Sequence, residues 1–107
     1  MDLRIPVVLA ATLLAPAASK AQMAGDIFEG QLVAERSCAE CHAVHADDLF
    51  MPLADAPAFV DVAETPGLTS LRLRAWLRTS HPTMPNIILN DRDTDDVTAY
   101  ILSLERR

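Results

Sequence analysis

The sequence predicts an all-α domain. Apolar residues recur at helical spacing in three stretches, and a capping residue precedes each. No stretch alternates apolar and polar residues as a strand does. Prolines lie between the stretches and keep them apart.

The first 21 residues, MDLRIPVVLAATLLAPAASKA, read as a leader and stand outside that fold. Arg4 precedes an apolar run over 5–18, and small residues stand three and one places before a cut after Ala21. An uncleaved anchor is the alternative, but the run is short against the ~20 apolar residues a membrane span needs. The domain is then 22–107, or 86 residues. Without Asp2, Arg4 and Lys20 it holds 7 basic and 14 acidic residues, a net charge of −7. Such a chain repels nucleic-acid phosphates, so nucleic acid is excluded as a partner. Processed in this way, the chain spans no membrane.

The first helix opens at Asp26, a good N-cap, with Glu29 three residues on as in a capping box. Ile27, Gly30, Ala34 and Cys38 share one face. Gly30 costs about 1 kcal/mol against alanine inside a helix, which predicts a partner packed closely on it. Residues 43–67 carry Pro52, Pro57, Pro66 and Gly67 and predict loop, with a turn of helix at 58–63. Thr69 caps a second helix through SLRLRAWLRT. Pro82 and Pro85 forbid regular structure in HPTMPN. Asn90 caps the last helix, where Val97, Tyr100, Ile101 and Leu104 form one face. Four aspartates at its start and two arginines at its end suit the helix dipole.

An 86-residue domain buries a modest fraction of its surface and commonly needs a staple. The two cysteines, Cys38 and Cys41, stand two residues apart in CAECH. A disulfide between them closes almost no loop and constrains the unfolded chain little. A redox dithiol of the thioredoxin type belongs beside a βαβ unit, and no strand is visible. Zinc requires four ligands, or three and a water. Cys38 and Cys41 with His45 or His81 make such a set, but nothing marks a second ligand pair. C-x-x-C-H is also the attachment motif of c-type haem. Two thioethers then hold the porphyrin, and His42 is carried to the iron as proximal ligand.

Haem iron has a sixth position. Methionine there raises the reduction potential and suits electron transfer. Met23 precedes the first helix and Met51 lies in the long loop beside Pro52. Met84 lies between Pro82 and Pro85, which stiffen its loop. Met84 is the predicted distal ligand, His81 is its rival, and a plain core-filling methionine is the alternative.

From 22 to 107 the chain resembles the class I mono-haem cytochromes c of the short, soluble bacterial kind. GDIFEG is similar to the family's first-helix opening, CAECH to its haem motif, the loop around Met84 to its sixth-ligand loop, and DDVTAYILSL to its last helix. The resemblance implies a small cytochrome c fold with crossing N- and C-terminal helices and loops wrapped around one covalent haem c. It implies cofactor contacts at Cys38, Cys41, His42 and Met84, with His42 and Met84 as metal ligands. Gly30 would meet Val97 and Tyr100, and the Pro57 carbonyl would receive the His42 imidazole N–H.

Trp76 is expected to pack on the haem, and Phe28, Phe50 and Phe59 to line the core or the pocket. His45 is expected in solvated loop, and the aspartates of 91–96 on a capping, solvated face. Arg72, Arg74 and Arg78 predict a basic or mixed rim at the haem edge. The predicted function is periplasmic one-electron transport, not enzymatic catalysis. The carrier would shuttle between a donor, a dehydrogenase or quinol-oxidising complex, and an acceptor, an oxidase or reductase. A haem subunit fixed to one such partner and a haem-based ligand sensor are the alternatives.

Overall fold

Asp26, Ala58, Thr69 and Asn90 each take extended backbone angles and stop the chain from winding before them. Four helices follow these caps: α1 (Ile27–Ser37), α2 (Phe59–Ala63), α3 (Ser70–Leu77) and α4 (Asp91–Ser103). The computed structural model describes residues 2–14, 24–79, 84 and 87–106. The described residues form no strand, so the fold is all-α as the sequence predicts. Residues 2–14 are exposed and form no helix. No helix among the described residues is long and apolar enough to cross a membrane. The cut after Ala21, together with Met23 and His81, lies outside the described residues.

The side chains of Asp26, Thr69 and Asn90 accept the N–H of Glu29, Arg72 and Asp93. Each satisfies one amide that the first helical turn leaves without a partner. The capping box at α1 differs from the sequence expectation. The N–H of Asp26 donates to Asp96 Oδ1 at 2.8 Å, so α4 supplies the return contact expected of Glu29. Asp96 is 5% exposed, and burial keeps its carboxylate on that amide.

α1 and α4 share the most extensive helix–helix contact. Its centre is Gly30. A Cβ there would collide with the Asp96 carbonyl and crowd Tyr100 Cβ, so glycine is what lets the backbones approach. Tyr100 is the expected neighbour; the second is the main chain of Asp96, one residue before Val97. Val33 and Ala34 of α1 bury against the same core as Val97 and Ile101 of α4. Phe59 and Leu73 join this core from α2 and α3.

The aspartates of α4 do more than cap and solvate. Asp93 pairs with Arg36 at 2.8 Å, Asp95 with Arg74 at 2.7 Å and Asp91 with Arg78 at 2.6 Å. These pairs link α1 and α3 to α4, and they make the charge beside Arg74 and Arg78 mixed, one of the two arrangements expected. Arg74 of α3 and Arg78, its C-cap, lie against α4 carboxylates, and Arg72 donates to the Gly67 carbonyl at 3.2 Å. Phe28 and Phe50 also depart from expectation, because both are exposed. Phe28 lies on the outer face of α1, and Phe50 lies in a loop that turns outward.

Candidate haem site

α1 ends at Ser37, and Cys38 is its C-cap. The chain then winds tightly, because the Cys38 carbonyl accepts from both Cys41 N–H (3.1 Å) and His42 N–H (2.9 Å). This turn places the two cysteines and the histidine of CAECH around one point of the fold. Both thiols are free, with Cys38 buried and Cys41 partly exposed. Burial, and then the neighbouring Cys41, push the Cys38 thiol up to about 11.

His42 is held from one side. Its Nδ1 lies 2.7 Å from the Pro57 carbonyl oxygen. A carbonyl only accepts, so Nδ1 carries a proton, and in the neutral imidazole the lone pair then lies on Nε2. The Phe59 ring lies tilted against the imidazole, centroids 5.3 Å apart. Phe59 N–H donates to Ala43 O at 2.9 Å, which binds the segment after Pro57 to the segment after His42. The Pro57 contact is the one the family resemblance implies.

Cys38, Cys41, His42 and Met84 line one cavity of about 340 Å³. Phe59, Leu73, Val97 and Ile101 supply apolar walls from three helices. Size and lining match an apolar cofactor site with few polar groups. Met51 is exposed and stands outside this lining. Trp76 lines the cavity yet is 58% exposed, so it stands at the mouth, not in the interior. His45 is half-buried, with Nε2 3.0 Å from Glu35 Oε1, and is less solvated than a plain loop histidine.

Two anchoring contacts had no distinct sequence signal. The Tyr100 hydroxyl donates to the Val44 carbonyl at 2.6 Å and fastens α4 to the strand of chain leaving CAECH. Asp96 looks in the sequence like any other aspartate of its cluster. Leu73 has no mark in the sequence either: Leu71 and Leu73 flank Arg72 alike, and only Leu73 is buried.

The chain is similar to cytochrome c-552 of Bradyrhizobium diazoefficiens, 37% identical over 92 residues. The match covers 86% of this chain and 88% of that protein. The chain is a class I c-type cytochrome. Its cofactor is haem c, an iron porphyrin held covalently. No family model and no solved structure matches the chain. The residues present fit the cofactor: two free thiols, an imidazole with a fixed tautomer and a thioether line one apolar cavity. As a c-type cytochrome the protein transfers electrons, and redox proteins are its partners.

Proposed function

We propose that this cytochrome is a periplasmic one-electron carrier in which His42 and Met84 would hold the haem iron. Cys38 and Cys41 hold the cofactor through thioethers, and one carrier molecule serves separate donor and acceptor proteins. Bound haem supplies a ferric/ferrous couple that takes up and releases one electron. The chain's residues orient that couple and set its surroundings. Nδ1–H of His42, donating to the Pro57 carbonyl, keeps the imidazole oriented. Met84 offers a neutral sulfur that favours the ferrous state. Phe59, Leu73, Val97 and Ile101 exclude water from the cavity. Leu53 and Trp76 both line the cavity and are exposed, which leaves an edge open for electron exchange.

The supporting observation is the His42–Pro57 contact inside a cavity that Cys38, Cys41 and Met84 also line. Residues 1–21 serve as an export signal cut after Ala21, which brings the chain to the compartment where such attachment occurs in bacteria. The test is acid–acetone extraction of the exported protein, followed by N-terminal sequencing. Haem should stay with the denatured chain, and the first residue should be Gln22. Release of all haem, or stoichiometric zinc in its place, overturns the assignment.

A further inference from the structure

Leu49, Phe50, Met51, Pro52 and Leu53 are five consecutive exposed residues, four of them large hydrophobics. Leu49 is fully exposed and Phe50 is 76% exposed. Surface apolar residues scattered singly are ordinary, but a continuous run marks a place where something binds. The run is tied to the cofactor site: Leu53 N–H donates to the Cys41 carbonyl at 3.2 Å, and Leu53 lines the cavity. Phe50 and Leu49 do not line it. These two lie at one end of a segment whose other end touches the cavity.

The charge around the run has one sign. Residues 37–71 contain Glu40, Asp47, Asp48, Asp55, Asp61 and Glu64, and neither lysine nor arginine. Glu64 pairs with Arg106 at 2.9 Å. Among the described residues, no arginine pairs with the other five. Arg74 and Arg78 lie against Asp95 and Asp91. Burial first, then the charges of Glu35, Asp48 and Asp47, raise the Tyr100 hydroxyl above its ordinary value.

We propose that residues 49–53, with the carboxylates around them, dock a redox protein whose electron-exchange face is an apolar patch rimmed by lysine or arginine. The surface rests on the carrier function above and names its partner's chemistry. Charge decides between occupants. A second copy of this chain would bring the same carboxylates against these, and an anionic lipid surface would be repelled likewise. A cationic rim is attracted from a distance, and the apolar run then gives contact area that water leaves. The segment's tie to Cys41 places that contact next to the cofactor.

The test uses the full holoprotein, a cationic c-type cytochrome of high pI as probe, and an acidic redox protein as control. Binding is read by titration calorimetry and electron exchange by stopped flow. Wild type should bind the cationic probe and not the control, and binding should weaken as salt rises. Asp47→Lys should weaken binding about tenfold and flatten its salt dependence. Leu49→Ser with Phe50→Ser should weaken it about tenfold with the salt dependence unchanged. Both sites are exposed outside the cavity, so the visible spectrum should be unchanged and serves as the folding control. Binding indifferent to both changes, or preference for the acidic control, overturns the surface. So does a dimer in sedimentation, or adhesion to phosphatidylglycerol vesicles, that Phe50→Ser abolishes while probe binding persists. Exchange with ferricyanide separates the two proposals. If it is absent, the carrier function falls; if it is present while docking is insensitive, only the surface falls.

Discussion

The Pro57 carbonyl oxygen lies 2.7 Å from Nδ1 of His42, fifteen residues away in sequence. The acceptor belongs to the main chain, so the proline side chain contributes stiffness and not the hydrogen bond. Pro57→Ala should then keep the visible spectrum and the reduction potential. Its cost should be the extra freedom of the unfolded chain, about 0.4–1 kcal/mol in denaturant unfolding. A changed spectrum would mean that the ring itself shapes the site.

Gly30 meets the main chain of Asp96 and the Cβ of Tyr100. Neither can swing aside, because one is backbone and the other begins a buried side chain. Gly30→Ala should destabilise by at least about 1–3 kcal/mol, despite alanine's advantage of about 1 kcal/mol inside a helix. A stabilised variant in urea unfolding would show that α1 and α4 do not pack through this residue.

Tyr100 is buried, and burial first, then Glu35, Asp48 and Asp47, raise its hydroxyl above the ordinary value. The folded state thus holds the proton more tightly than the unfolded state does. The stability this contributes is complete below about pH 10, where the unfolded tyrosine titrates, and is lost as pH rises through the folded value. Tyr100→Phe removes the bond to Val44 O and should cost about 1–3 kcal/mol at neutral pH, since that buried carbonyl loses its donor. The variant should also lose less stability than wild type between pH 9 and 12, measured by urea unfolding at each pH. Parallel profiles for the two proteins would refute the assignment.

Met84 lines the cavity, whereas His81 lies outside the described residues. Met84→Ala should lower the reduction potential by a sizeable part of the ~0.8 V that axial ligands span, and open the reduced protein to carbon monoxide. His81→Ala should move the potential little. The reverse outcome, in redox titration and carbon monoxide binding, would make the protein bis-histidine and low-potential.

What the sequence by itself determined was local. The caps Asp26, Thr69 and Asn90, the helices behind them, and CAECH depend on residues within a few positions of one another. Short-range hydrogen bonds and periodicity decide them. Gly30 also announced a close neighbour, because a glycine in a helix is costly without one. Only the tertiary structure decided which neighbour it was, and that α4 returns a carboxylate to the α1 cap. Asp96 and Asp95 are adjacent aspartates with identical chemistry. Asp96 accepts the Asp26 N–H at the start of α1 and Asp95 pairs with Arg74 of α3, because the helix points them in different directions. The same holds for charge. In the sequence Arg74 and Arg78 allow a basic or a mixed rim, and the α4 carboxylates that meet them make it mixed. Long-range pairing follows from how the helices pack, and spacing along the chain does not carry that information.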